Sequence, residues 1–224
     1  AIPVQGATEL APTSRMAHSE VMPASHSDDS RTRWELLALL GLALVAGIYF
    51  VLRYGGRWSE ADSGAITQAI RVVVDSAQLI PDSSAKYQNG YGYQAVSVAI
   101  MAFTGLSVET LQQMVYPLVS AVLVLPAWTL YRELTGSSRV ASLATLLLLL
   151  VPEYLFAVLR ASHERLDRAF LFTALWLLAR SVRFRGDPTR FTVHLGVALL
   201  ASYGLIVTNG LFGMSFVLAI VTAL

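Results

Sequence analysis

The stretch WELLALLGLALVAGIYFVL, residues 34–52, is the feature that most restricts what this chain can fold into. It has about 19 residues with one charge near its start, and about 20 apolar residues span the roughly 30 Å hydrocarbon core of a bilayer. A secretory signal peptide would have a shorter apolar core, followed by a small-residue cleavage site. The stretch therefore predicts a first transmembrane helix.

The composition extends this prediction to the rest of the chain. Of the 224 residues, 55% are hydrophobic and 14% are charged, whereas soluble globular proteins carry about 25% charged residues. The net charge of +1 provides no basic face for a phosphate backbone, so we expect no nucleic-acid partner. The chain has no Cys, which excludes disulfides and thiolate metal sites.

Later apolar segments predict further helices that cross the membrane. Ser107 is suited to cap the first of them and Gly136 to end it, while Pro117 and Pro126 should kink it. The predicted spans are 107–134, 140–159, 168–182, 193–208 and the start of one at 211–224. Residues 1–33, rich in Ala, Ser and Pro, predict a flexible tail, and we expect the chain to be part of a longer protein. The predicted fold class is an all-α, polytopic transmembrane helix bundle.

The loop RSVRFRGDPTR, residues 180–190, indicates the orientation of this bundle. It is short and carries four Arg against one acidic residue, and such loops stay in the cytoplasm. Counting helices from it places the N-terminus in the cytoplasm, and the loops 53–106 and 160–168 on the opposite, outward face. We therefore expect a multi-pass protein of a plasma, inner or endoplasmic reticulum membrane.

The first outward loop carries two carboxylates, Glu60 and Asp62, shortly after the first span. Apolar residues recur at three- and four-residue spacing from Ile66, which predicts an amphipathic helix that Asp62 or Ser63 can cap. The apolar stretch 91–106 is shorter than a span and predicts an interfacial helix. Two interpretations of the carboxylates stay open, namely a cap with a solvated charge, or part of a site.

Aromatic and amide residues follow in KYQNGYGYQ, residues 86–94. Tyr87, Tyr91 and Tyr93 are suited to stacking on a sugar, although an interfacial aromatic belt has the same composition.

A second polar cluster, RASHERLDR at residues 160–168, lies on the same predicted face. Charged groups near hydrocarbon are costly unless they pair or line an aqueous cavity. One interpretation is structural pairing, such as Glu164 with Arg168. The other is substrate binding, with guanidinium groups on a phosphate and carboxylates near a sugar or a divalent cation. The candidate substrate-binding residues here are Arg160, His163, Glu164, Arg165, Asp167 and Arg168.

The order of loop, amphipathic helix, Y…G, short apolar helix and TGLS before a Pro-containing span resembles the GT-C superfamily of membrane glycosyltransferases, over about residues 34–210. This resemblance implies transfer of a sugar from a polyprenyl-phosphate donor to an acceptor lipid, glycan or protein. It also implies that Asp62, with Glu60 beside it, acts as catalytic base or organises a metal. Mg²⁺ or Mn²⁺ held by Asp62 and Glu164 is the cofactor we consider. Relatives often have adjacent Asp-Glu here, whereas this chain has Glu60-Ala61-Asp62.

Two other classes of function remain. A secondary transporter or flippase would use the same charges to line a permeation path, although transporters usually place such residues near the bilayer midplane. A membrane scaffold would depend on no ligand. The chain has no phosphate-binding Gly-rich loop and no nucleophile elbow, which leaves nucleotide-driven and serine-hydrolase chemistry without support.

Overall fold

A computed structural model describes residues 26–55, 57, 61–80, 90–159 and 162–223, and all its regular structure is helical. We number the helices in chain order. They are α1 (His26–Tyr54), α2 (Ala61–Ser76), α3 (Gly92–Thr104), α4 (Val108–Thr135), α5 (Ser138–Leu150), α6 (Pro152–Leu159), α7 (Glu164–Arg183), α8 (Pro188–Thr208) and α9 (Gly210–Ala223). The all-helical prediction is confirmed for these residues.

Three helices are long and apolar enough to cross a membrane. They are Ser30–Tyr54 within α1, Val108–Thr135, which is α4, and Pro188–Thr208, which is α8. These agree with the predicted spans at 34–52, 107–134 and 193–208, and they indicate a membrane protein. Helix α1 begins at His26, inside the stretch predicted as a flexible tail, whereas residues 1–25 lie outside the described residues.

The prediction of one continuous span at 140–159 is wrong, because the chain forms two helices there. Helix α5 ends at Leu150, Val151 is extended, and Pro152 opens α6. Proline disfavours the helical conformation of the residue before it, which explains the break at Val151. Neither half reaches the length of a span by itself.

Side-chain caps fix where several helices begin. Ser107 accepts a hydrogen bond from the Thr110 N–H at the start of α4. Asp187 accepts one from the Arg190 N–H before α8, where Pro188 occupies the first turn. Gly136 ends α4 with φ 68°, a conformation that costs glycine little. The predicted Ser107 and Gly136 boundaries are therefore confirmed.

Helix α4 is the element on which the others pack. Helices α5 and α7 lie against its second half, α1 crosses its middle, and α7 and α8 pack along their lengths. The crossing of α1 is close, because a Cβ on Gly47 would lie 2.7 Å from the Pro117 carbonyl oxygen.

One end of this bundle is rich in arginine. Glu133, near the end of α4, accepts hydrogen bonds from Arg180 and Arg183 of α7, both at 3.1 Å. Nearby, Ser142 donates to Glu35 at 2.8 Å and accepts from the Trp128 indole at 3.0 Å. These bonds connect α1, α4, α5 and α7 at that end.

We predict that Glu133→Gln destabilises the protein more than Glu109→Gln does. The Glu133 side chain is 9% exposed and has two arginine partners, so we expect a loss of about 1–3 kcal/mol. Glu109 pairs with Arg71 at a side-chain exposure of 38%, where an ion pair contributes about 0–1 kcal/mol. Unfolding midpoints in detergent test this prediction. Equal losses for the two variants would contradict it.

Candidate functional site

Helix α2 follows the first predicted span and carries Asp62. It buries Ile66, Ala69, Ile70 and Val73, which are the apolar positions of the predicted amphipathic helix. The helix begins at Ala61, so Asp62 lies within its first turn instead of capping it, and Ser63 is buried at 1% exposure. The prediction that Asp62 or Ser63 caps the helix is thus corrected. Asp62 remains where the helix dipole favours an anion.

Three predicted site residues lie outside the described residues. They are Glu60, Tyr87 and Arg160.

Tyr93 of α3 lies in the protein interior. Its side chain is 1% exposed and its hydroxyl donates to Gln112 Oε1 of α4 at 2.7 Å. Burial raises the pKa of this hydroxyl above its usual range, so it stays a donor at neutral pH. From the sequence we expected Tyr93 to contact a sugar, whereas in the structure its side chain connects α3 to α4. Tyr91, at the start of α3, is only half-buried.

Arg165 connects α7 to the same point of α4. Its guanidinium is buried at 3% exposure, donates to the Gln112 carbonyl at 2.9 Å and lies 5.8 Å from the centre of the Tyr116 ring. The Tyr93 hydroxyl is also within its reach. Arg165, one of the predicted substrate-binding arginines, is therefore held in the protein interior by these contacts.

Asp167 lies one turn into α7, next to Asn209 at the end of α8. Its side chain is 2% exposed, and within the described part of the chain neither carboxylate oxygen has a hydrogen bond of ordinary geometry. Burial raises the pKa of Asp167 to about 7, against a smaller lowering by the Asn209 amide, and the nearby Glu164 raises it further. A buried carboxyl of this kind can exchange a proton near neutral pH.

Arg168 pairs with Glu153 of α6 at 3.1 Å, with side-chain exposures of 21% and 68%. From the sequence we considered a pair between Glu164 and Arg168, and in the structure Glu153 of α6 is a partner of Arg168. His163, at the position before α7, and Glu164 are half-buried. In contrast to Arg165, Arg168 of the predicted cluster is thus partly exposed at the protein surface.

The start of α3, from the loop that was predicted to face outward, and the start of α7 meet at one end of the bundle. Tyr93, Gln112, Arg165, Asp167 and Asn209 mark this meeting point, which we call the junction. The start of α3 is pressed against the end of α8, because a Cβ on Gly90 would lie 2.4 Å from the Thr208 carbonyl oxygen. The two stretches that the sequence analysis assigned to one face therefore lie together.

Asp62 is connected to the junction through the apolar face of α2. Ile66 and Ile70 share a core cluster with Tyr93, and Leu166 of α7 packs against it. Asp62 precedes Ile66 by four residues, which is about one helical turn. Its carboxylate is partly exposed, in contrast to that of Asp167.

The sequence did not lead us to Gln112 or Asn209, whereas Gln94 belongs to the aromatic and amide stretch 86–94. Gln94 and Gln112 are 5% and 0% exposed, and each has one side-chain atom without a hydrogen-bond partner among the described residues. Amides within apolar helices are costly and tend to mark polar interior sites, so the Gln112 position within a predicted span was an available signal.

Within the described residues, no group of three His, Asp or Glu side chains could hold a metal ion. The considered Mg²⁺ or Mn²⁺ between Asp62 and Glu164 would need further ligands. We therefore derive no step through a metal.

Comparison with protein-family models, with curated proteins and with solved structures finds no match for this chain.

We predict that Asp167→Asn removes a pH dependence of stability. The folded protein keeps a proton on Asp167 up to about pH 7, whereas the reference value for a solvated carboxyl is 3.8. The folded state therefore binds more protons between these values, and stability falls as pH rises from about 4 to about 7. Above pH 7 the variant should be more stable than the wild type, by at most about 4 kcal/mol.

Unfolding midpoints from pH 4 to pH 8 measure this effect. Asp75→Asn is the control, because Asp75 is exposed on α2 and should leave the wild-type pH profile unchanged. An Asp167→Asn protein less stable than the wild type at pH 8 would refute the prediction.

Proposed function

We propose that this chain belongs to a membrane glycosyltransferase of the GT-C type, which moves a sugar from a polyprenyl-phosphate donor to an acceptor on the outward face. The observation that carries the proposal is that the carboxylate-bearing helix α2 and Leu166, at the arginine-bearing start of α7, pack on the same apolar cluster at one end of the bundle. Glycosyl transfer from a lipid phosphate needs a carboxylate that takes the proton of the acceptor. It also needs cationic groups that stabilise the leaving phosphate.

The proposed roles follow from exposure. Asp62 is partly exposed in the first turn of α2 and accepts the proton of an acceptor hydroxyl or amide. The acceptor atom then attacks the anomeric carbon, the bond from that carbon to the phosphate oxygen breaks, and its electron pair leaves with the prenyl phosphate. Arg168 stabilises the developing phosphate charge. Glu60, two residues before Asp62 in sequence, stays the alternative base.

The proposed orientation places the junction outward and the arginine-rich end in the cytoplasm. Arg180 and Arg183 of α7 and Arg190 of α8 lie at the end opposite to the junction. The positive-inside rule supports this orientation. We propose that the N-terminus also lies in the cytoplasm.

A secondary transporter is the second candidate function. Asp167 favours it, because a buried carboxyl with a pKa of about 7 is suited to proton coupling. The two candidates differ in whether a covalent product forms from a prenyl-phosphate sugar.

We predict that Asp62→Asn abolishes sugar transfer in the full-length, membrane-embedded protein. Loss of a general base should lower turnover by about 10²–10⁴-fold. Formation of glycosylated acceptor from a prenyl-phosphate sugar in nanodiscs measures it. Asp75→Asn, on the same helix, is the matched control and should keep wild-type turnover.

Three outcomes of this assay would change the proposal. Wild-type turnover in Asp62→Asn would refute the role of Asp62, and a much larger loss in Glu60→Gln would reassign it. Pumped or exchanged substrate without any covalent product would favour the transporter.

We predict that Arg168→Gln weakens binding of the donor. Loss of a bidentate contact to phosphate should raise KM for the donor by about 10- to 100-fold. Glu153→Gln breaks the same ion pair but keeps the guanidinium, so it should leave KM near the wild-type value. Initial rates over a range of donor concentrations distinguish the two variants. Equal KM increases would mean that the ion pair, and not the arginine, matters.

A further inference from the structure

The arginine-rich end of the bundle carries more positive than negative charge where α7 meets α8. The arginines there are Arg180, Arg183, Arg185 and Arg190. Glu133 pairs with the first two and Asp187 with the last, whereas Arg185 is exposed and forms no ion pair with any described residue. None of these arginines has a role in the proposed transfer.

Phe184, in the loop between α7 and α8, contacts arginines from both helices. The guanidinium carbons of Arg180 and Arg190 lie 5.5 and 5.4 Å from the centre of its ring, and the His194 ring is 5.0 Å away. The face of an aromatic ring attracts cations, so Phe184 holds the two guanidiniums on one small surface in spite of their like charge. We call Phe184 and the four arginines the Phe184 patch.

The patch has many hydrogen-bond donors beyond those used in its ion pairs. Arg183 donates to Glu133 at 3.1 Å with its side chain 71% exposed, and Arg190 pairs with Asp187 at 3.2 Å with its side chain also exposed. A guanidinium has five N–H donors in a planar fork that fits a phosphate. The exposed donors of Arg183, Arg185 and Arg190 can therefore bind a phosphate group.

The patch lies at the ends of two helices that are long and apolar enough to cross a membrane. Arg190 is in the first turn of α8, and Glu133 is near the end of α4. Trp34, near the start of the third such helix and at the same end of the bundle, is 72% exposed, which is typical of a membrane–water interface. The patch therefore faces the headgroup layer of a bilayer.

Exposed apolar side chains lie beside these cations. They are Val182, between Arg180 and Arg183 in sequence, and Leu134, next to Glu133. An acidic protein segment would pair with the guanidiniums and leave the apolar side chains uncovered. A phospholipid covers both, because its phosphate lies in the headgroup layer and its acyl chains begin directly below that layer.

We propose that the Phe184 patch binds the headgroup phosphate of an anionic phospholipid. Arg183, Arg185 and Arg190 donate to the phosphate, while Val182 and Leu134 contact the acyl chains. In the orientation proposed above, this lipid belongs to the cytoplasmic leaflet, whose surface is negatively charged. The inference does not depend on sugar transfer, which is proposed for the opposite end of the bundle.

Arg185→Gln tests this site, with phosphatidylglycerol as the probe. One arginine near an anionic membrane surface strengthens binding by about fivefold, so the variant should bind this lipid about fivefold more weakly. Native mass spectrometry of the full-length protein, titrated with phosphatidylglycerol in detergent, measures the affinity. Arg53→Gln is the matched control, because Arg53 is an exposed arginine in the last turn of α1, at the opposite end of the bundle. It should keep the wild-type affinity.

Asp187→Asn should change the affinity in the opposite direction. Asparagine is also a good cap, so the start of α8 is kept, but the neutral side chain no longer competes with the phosphate for Arg190. We expect phosphatidylglycerol to bind about two- to fivefold more tightly. Loss of a purely structural contact would not strengthen binding.

Several results would overturn the inference. Equal losses in Arg185→Gln and Arg53→Gln would mean that only the overall charge attracts the lipid. Phosphatidylcholine bound as tightly as phosphatidylglycerol would exclude recognition of the anion. Displacement of the lipid by equal concentrations of glycerol 3-phosphate would indicate a site for free phosphate, and displacement by a poly-glutamate peptide would indicate an acidic protein partner. Wild-type affinity in folded Arg185→Gln and Asp187→Asn would exclude the Phe184 patch as the site.

Discussion

The hydrogen bond from Arg165 to the Gln112 carbonyl connects α7 to α4 at the junction. Residues Leu111–Val115 form a π-helical turn, in which the Tyr116 N–H bonds to the Leu111 carbonyl. The next donor in that register would be residue 117, which is proline and has no N–H. The Gln112 carbonyl is thus left for the Arg165 guanidinium at 2.9 Å. Pro117 thereby leaves a backbone carbonyl of α4 without its helical donor, and Arg165, about 50 residues later in the chain, donates to it.

This bond also determines where α3 lies. The Gln112 side chain accepts from Tyr93 while its carbonyl accepts from Arg165, so α3 and α7 are positioned by opposite groups of one residue. With α3 fixed, its first residues press on the end of α8, and α2 packs on α3 and on the first turn of α4. The packing of α3 and of the start of α7 on α4 therefore depends on one π-helical turn.

Much of this fold follows from patterns in the sequence. The amphipathic spacing from Ile66 predicts which face of α2 is buried, and the predicted cap at Ser107 and end at Gly136 agree with the bounds of α4. Pro117 predicts a freed carbonyl, but nothing in the local sequence indicates that Arg165 would satisfy it. The break at Val151, the burial of Tyr93 and the pairing of Arg168 with Glu153 depend on contacts between distant segments. The charged side chains of the cluster at residues 160–168 could pair with several partners. The spacing of apolar residues along the chain does not indicate which of these pairs form.

The two ends of the bundle differ in how their buried polar groups are paired. At the arginine-rich end, Glu133 and Glu35 are largely buried, and each has hydrogen bonds from arginine or serine. These bonds offset the cost of burial and give the carboxylates a structural role. At the other end, both oxygens of Asp167 and amide atoms of Gln94 and Gln112 have no hydrogen bond of ordinary geometry to any described residue. Polar groups left in this state weaken the fold by about 1–3 kcal/mol each. Among the described residues, the cost of burying polar groups is therefore offset by hydrogen bonds at the arginine-rich end and is only partly offset around Tyr93 and Asp167.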